Sequence, residues 1–335
     1  MQLDDNLRTP YAQNWYLGVQ HSLTSNLLIE VGQAGSVGRK LVSRDLINRY
    51  VNSGPSINPN LDEITYLTNA GNSNFLDLEL ALRHRYSRGL QYQLSYTYSH
   101  AIDNQSDIYE GIRTLPPPAS PVLASFTSPL DARVDRGNAN FDQRHNLVFN
   151  AIWDLPVPDL RTAFLNRLLR AWAIGFIGAY RSGFPLTVIS DISDYITQFR
   201  NNRVNFIGTP GQNGYLSPAP PVTGGVQWLD PQQFAPVVDQ VGTLGRGAIK
   251  GPGFWNYDFA LMRNFGFSRD KIRLQFRAEF YNLFNHANLS QPVTFYGADG
   301  FGQARYGLNP TYSRFGDLPL SSPSRTIQFG IRVQF

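Results

Sequence analysis

Five histidines, His21, His84, His100, His145 and His286, are the first residues to weigh for metal or acid–base chemistry. No two stand at the spacing of a metal-binding pair, and the chain has no cysteine to supply a thiolate ligand, a nucleophile or a disulfide. "DNQSDIYEG" gathers Asp103, Asp107 and Glu110 as oxygen donors for calcium, but not at the intervals of an EF-hand loop. "GTLGRGAIKGPG" (242–253) is glycine-rich, yet it lacks the Gly-Lys-Ser/Thr ending and the strand–loop–helix setting of a phosphate loop. A flexible outer loop accounts for it. No nucleophile and base can be paired from the sequence. The expectation is a protein that is not an enzyme, with no catalytic residues, no metal site and no cofactor. One ionisable set is coherent: Asp77, Glu79, Arg83, Arg85, Arg273, Arg277, Glu279 and Arg332. Such a set either guides a charged substrate or pairs internally to solvate a wide polar interior.

All eight occupy polar positions in segments whose apolar residues recur at every second place. In "FLDLELALRHRY" (75–86), Leu76, Leu78, Leu80 and Leu82 face one way, and Asp77, Glu79, Ala81, Arg83 and Arg85 the other. A period of two predicts a strand with one dry and one wet face. Its register is strongly specified, because a slip of one residue would carry these charges into apolar surroundings, at ~2–4 kcal/mol for one arginine at a bilayer midplane. After "SRG", "LQYQLSYTYSH" (90–100) alternates again and closes a hairpin. "QNWYLGVQHSL" and "NLLIEVGQAG" form another around residue 25. "RHNLVFNAIWDLP" (144–156), "AWAIGFIGAYRSGFPLTVIS" (171–190), "GFWNYDFALMRNF" (253–265) and "KIRLQFRAEFYNLF" (271–284) read as further strands. The last also has Phe276, Phe280, Leu283 and Phe284 at helical spacing, but a helix would swing Ile272 and Leu274 off that face. "LRTAFLNRLLRAW" (160–172) stays open between a short interfacial helix and a turn into the next strand, the turn being the default. The chain closes on "RTIQFGIRVQF", where Ile327, Phe329, Ile331, Val333 and Phe335 alternate with Gln328, Gly330, Arg332 and Gln334.

The connections alternate too. Short ones lie near 23–26, 87–89, 156–170 and 266–270, and long ones near 38–73, 102–141, 191–252 and 287–323. Outer-membrane barrels have this asymmetry, with tight periplasmic turns and long extracellular loops, and strands of ~9–11 residues suit a tilted crossing of the hydrocarbon layer. The composition of 42% hydrophobic and 16% charged residues argues against disorder. No apolar run approaches the ~18 residues of a membrane helix. The net charge of +4 comes without a basic cluster, so nucleic acid is not an expected partner. The predicted fold is all-β, an antiparallel transmembrane β-barrel of about nine or ten strands belonging to a larger barrel. The eight ionisable residues would then face its lumen. His84 and His100 fall at strand ends on the apolar face, as interfacial imidazoles.

"PYAQNWYLGVQHSLTSNLLIEVGQAGSVGRKL" (10–41), "FDQRHNLVFNAIWDLP" (141–156), "LLRAWAIGFIGAYRSGFPLTV" (168–188), "GPGFWNYDFALMRNF" (251–265) and "FRAEFYNLFNHANLSQP" (276–292) resemble, in this order, the C-terminal barrel half of TonB-dependent receptors of the Oar-like group. The resemblance implies the outer membrane of a Gram-negative bacterium, and a barrel of about 22 strands filled by an N-terminal plug. No plug is recognisable here, and "MQLDDNLRTP" is not a signal peptide. An odd strand count also departs from the even number of bacterial barrels. Residues 1–335 are therefore expected to be the C-terminal part of a longer barrel protein; a small complete barrel is the alternative. The implied function is TonB-dependent transport of a bulky nutrient: a glycan, a peptide or a metal chelate. The implied partners are outer-membrane lipid, the plug and N-terminal strands of the full-length protein, and the TonB energy-transducing complex. The barrel assembly machinery is another, because the alternating end from Ile327 to Phe335 resembles the signal it recognises. A non-transporting surface or adhesion protein is the alternative function, and a secreted soluble β-domain a third reading.

Overall fold

Among the described residues the two-residue periodicity is realised as nine long strands in one antiparallel meander. The computed structural model describes residues 1–50, 54–107, 125–157, 162, 164, 166, 169–190, 201–209, 214–237, 240–267, 272–307 and 324–335. The strands are β1 (Tyr11–Ser22), β2 (Leu27–Ile47), β3 (Ile64–Ser87), β4 (Leu90–Asp103), β5 (His145–Asp154), β6 (Trp172–Arg181), β7 (Phe254–Phe267), β8 (Ile272–Tyr281) and β9 (Thr326–Gln334). Each pairs with its neighbours in the chain, and the sheet is open between β1 and β9. Phe276 and Phe280 lie in a strand, as the alternation predicts, and no described helix is long and apolar enough to cross a membrane.

The register carries the alternation across the whole wall. Leu82 stands opposite Ile29 and Leu94, and Phe176 opposite Ala151 and Phe259. Phe276 stands opposite Ile331. Many intervening positions pair polar residue with polar or small residue, as Gln93 with Arg83 and Asn150, and Glu279 with Ala260 and Gln328, although Ile177 stands between Asn150 and Asp258. Glycine inside a strand normally weakens it, but here aromatic rings from the next strand lie over the gap. A Cβ added at Gly35 would meet the Trp15 ring at 2.1 Å, and one at Gly178 the Tyr257 ring at 2.7 Å.

Four expectations change. The region 38–73 is mostly strand, since β2 runs to Ile47 and β3 begins at Ile64; two register shifts near Leu41 absorb its irregular sequence. The segment 171–190 is not one strand. β6 ends at Arg181, after which Pro185–Leu186 pairs with Ile249–Lys250, and Ile189–Ser190 with Phe295–Tyr296. In 160–172 the default turn gives way to the helical alternative at the described residues, where the Asn166 N–H donates to the Thr162 carbonyl (3.0 Å) and the Arg170 N–H to that of Asn166 (3.2 Å).

The fourth concerns 242–253, which is packed rather than flexible. The long connections all leave one end of the sheet, and their described parts form a cap with its own core. Leu186, Val188, Val204, Leu229, Phe234, Leu244, Ile249 and Phe301 are all buried there. Gly242 lets two backbones touch, because a Cβ would lie 1.9 Å from the Arg203 carbonyl oxygen. Gly247 adopts a positive φ of 60°, with its N–H bonded to Thr187 Oγ1.

Arg246, in the same stretch, is 6% exposed and pairs with Asp103 at the top of β4 (2.5 Å). Arg246→Ala would leave that buried carboxylate without its counter-charge, at a cost of about 3–5 kcal/mol. Protease added to intact cells should then cut the 182–253 connection much faster, while heat-modifiable migration, which reads the strands, stays as in the wild type. Loss of the barrel band would show that cap and wall do not fold separably.

Candidate functional site

The predicted ionisable residues lie on the polar side of the wall, but they do not converge. Asp77, Glu79 and Arg83 are on β3, and Arg273, Arg277 and Glu279 on β8, five strand spacings or about 24 Å away along the sheet. Asp77 is buried and accepts the Ala34 N–H (2.6 Å), filling a gap in the β2–β3 ladder. Glu79 is exposed between Gly32 and Thr97, and Arg83 between Leu28 and Gln93. Arg85 sits at the turn end of β3, its N–H on the Asn26 carbonyl. Arg277 and Glu279 form an ion pair along one strand (2.5 Å), and the Tyr281 hydroxyl donates to the same carboxylate (3.2 Å). Arg332 stands opposite Gln275, and Arg273 opposite Gln334. Ile327, Phe329, Ile331 and Val333 share the other side of β9, facing Phe280, Ala278, Phe276 and Leu274 in turn. Phe335 lies beyond the last paired residue and is fully exposed.

The strongest electrostatics are in the cap, where the sequence named no site. Arg49 and Asp45 are both fully buried and 2.5 Å apart. Arg49 also donates to the carbonyls of Phe126 (2.7 Å) and Thr127 (2.9 Å), while Asp45 accepts the N–H groups of Phe126 and Leu130. Arg203 reaches Asp135 (2.6 Å), Thr127 Oγ1 (3.0 Å) and the Leu244 carbonyl (2.9 Å). Arg246 ties Asp103 to Ser106 Oγ (2.7 Å). Each guanidinium thus binds segments from different connections, and five donors in a fixed fork suit that task. Single arginines scattered in proline- and glycine-rich stretches carry no period, so spacing could not find them. Asp103, weighed for calcium, is committed to Arg246; Glu110 lies outside the described residues. Among the described residues no group of three or more acids and histidines is placed to hold a metal.

His21 is exposed, and the other four histidines are held by rings and polar side chains. His84 stacks on Tyr92 (centroids 5.1 Å apart), His100 Nε2 lies 3.0 Å from Asn138 Oδ1, and His145 Nδ1 lies 2.8 Å from the Tyr96 hydroxyl. His286, in the β8–β9 connection, stacks on Trp255 at 3.8 Å.

A family model described as outer membrane beta barrel domain matches residues 1–328. The chain belongs to that family. It is an outer-membrane protein of the Gram-negative envelope. No curated protein sequence matches it. In fold it is similar to the outer membrane transporter YddB from Escherichia coli, at 11% identity and a TM-score of 0.47, over 97% of this chain and 33% of that one. It is also similar to the FrpB iron transporter from Neisseria meningitidis (13%, 0.43, 98% and 32%) and to BauA, the ferric preacinetobactin receptor from Acinetobacter baumannii (13%, 0.39, 88% and 28%). The barrel chain therefore spans about a third of the length of these proteins.

Burial holds the His286 imidazole below its ordinary value of 6.5, which favours the neutral ring on Trp255. The stability this contributes is complete above that ordinary value, and is lost as pH falls through the lower value of the folded cap. Acidification from pH 7 to pH 5 should loosen the 282–325 connection, seen as faster proteolysis relative to a His286→Phe variant at each pH. Equal ratios at both pH values would remove His286 as the cause.

Proposed function

We propose that this chain forms the C-terminal part of a TonB-dependent transporter for a bulky nutrient. The observation that carries the reading is the one-sided distribution of connections, with a folded cap at one end of a wall that is apolar on one face and polar on the other. The cap captures the ligand outside the cell. The polar face, with Asp77, Glu79, Arg83, Arg85, Arg273, Arg277, Glu279 and Arg332, lines the lumen. The apolar face meets lipid, and backbone groups of β1 and β9 pair with further strands of the same polypeptide, since hydrocarbon offers an open edge no partner. A plug from that polypeptide closes the lumen until the TonB complex displaces it. The cargo class is a glycan, a peptide or a metal chelate. The chemistry required is binding and release, with no covalent step and no resident cofactor.

A second reading is a surface or adhesion protein. The cap favours it, because a connection set with its own buried core presents a shaped surface whether or not anything passes beneath. Deleting the cap segment 201–249 separates the two: loss of nutrient uptake with attachment intact supports transport, and the reverse supports adhesion.

The lipid and lumen faces have their own test. Phe329 is 69% exposed on the apolar side, so Phe329→Arg should cost ~2–4 kcal/mol near the midplane and impair assembly. Arg332→Gln, on the polar side, should assemble normally. Removing Val333–Phe335 strips apolar burial worth roughly 1.5–3 kcal/mol per side chain, together with the end that the assembly machinery reads. Heat-modifiable migration of the full-length protein after membrane extraction reports each outcome. Equal assembly of Phe329→Arg and Arg332→Gln would reverse the assignment of the faces.

A further inference from the structure

A cavity of about 680 Å3 opens where the tops of β2 and β3 meet residues 130–136 of the β4–β5 connection. Its polar lining among the described residues is Arg39, Asn72, Asn74, Asn104, Arg133 and Arg136, with Asp131 as the one acid. Three guanidinium groups against one carboxylate leave a formal charge of +2. Asp131 is already engaged: Arg133 Nε donates to it (3.0 Å), and that bond holds the carboxyl below its usual range. Arg39 is fixed to the carbonyls of Gly38 (3.0 Å) and Ser73 (3.2 Å) and to Asn74 Oδ1 (3.0 Å). The Arg136 guanidinium has no partner among the described residues, although its backbone N–H bonds the Arg133 carbonyl.

The asparagines are held in place rather than spent. Asn72 and Asn104 both donate to the Ala70 carbonyl (3.1 and 2.8 Å), and the Asn72 backbone N–H is taken by Asn104 Oδ1 (2.9 Å). The Asn72 carbonyl oxygen and the Asn74 amide nitrogen remain open to a ligand. Opposite them stands Leu130, 67% exposed and held at a positive φ of 56° that a leucine adopts only under constraint. The constraint is visible. Its N–H is bonded to Asp45 Oδ2 (3.0 Å), and Asp45 is locked to Arg49.

We propose that this cavity binds an anionic, hydroxyl-rich small molecule, a sugar acid or acidic disaccharide. The volume lies inside the range of about 300–1,000 Å3 typical of small-ligand sites. Arg136 supplies the bidentate fork for a carboxylate, the asparagines match hydroxyl groups that both donate and accept, and Leu130 offers an apolar surface to a pyranose face. An amine-bearing or neutral ligand would leave the excess positive charge unmatched. An apolar ligand would leave the amides without partners.

The inference concerns binding, which is read on the purified protein, so it stands or falls separately from transport, which is read on cells. The full-length protein in detergent is titrated calorimetrically with digalacturonate, with maltose as the neutral disaccharide and with inorganic phosphate. Saturable binding of digalacturonate is expected, at least tenfold tighter than maltose or phosphate. Arg136→Gln, at an exposed side chain with no hydrogen bond to another described residue, should weaken it at least tenfold and reduce its salt dependence. Equal binding of maltose would overturn the anion requirement, and equal binding of phosphate the hydroxyl requirement. No binding of digalacturonate, or binding unchanged in Arg136→Gln, would overturn the site itself.

Discussion

Inside a hydrocarbon layer a backbone N–H or C=O has no water to turn to, so a strand that crosses it must give these groups to a neighbouring strand. Continuous pairing from β1 to β9 is the constraint on which the rest of this structure depends. Once strands pair in register, side chains on one face of each meet those on the same face of the next, and a chemical choice at Leu82 propagates to Ile29 and Leu94. The wall therefore separates apolar from polar chemistry over most of its width, Arg263 between Trp172 and Phe276 being an exception. Aromatic rings laid over strand glycines, Trp15 over Gly35 and Tyr257 over Gly178, keep it covered where a side chain is missing.

Where the wall rises beyond the turn-free strand centres, water returns and the constraint changes. Connections there carry irregular backbone, and buried arginine–aspartate pairs hold them together alongside ladders only two or three residues long. Asp45 and Asp103 belong to the upper ends of β2 and β4, while Arg203 and Arg246 come from the β6–β7 connection and Asp135 from the β4–β5 connection. The wall thus anchors the cap electrostatically, and the apolar cluster around Leu229 and Phe234 fills the space between. Burying both partners of each pair avoids the large penalty of a lone interior charge. The same Asp45–Arg49 pair shapes the wall of the arginine-lined cavity through Leu130, so packing and recognition share one support.

Strands and faces were legible from residues such as Leu76–Leu82 and Ile327–Val333 because period two is a local property of the sequence. The upper halves of β2 and β3 were not legible. "RKLVSRDLI" and "TYLTNAGNSN" break the alternation, and only pairing across two register shifts makes them strands. The packed state of 242–253 was hidden for a related reason. Its glycines look permissive in isolation, but Gly242 and Gly247 serve close contacts with Arg203 and Asn138 that lie far away in the chain.

The sequence by itself determined the fold class, the two faces of each strand and the end of the sheet that bears the long connections. All of these follow from neighbours a few residues apart and from the incompatibility of charge with an apolar face. Tertiary structure alone decided which charges are buried, which arginine meets which aspartate and where a cavity remains. Arg246 and Asp103 lie 143 positions apart, as do Arg49 and Thr127 by 78, and no local period relates them. Their meeting is set by how four separate connections fill one volume, a packing condition that exists only once the wall has brought their ends together.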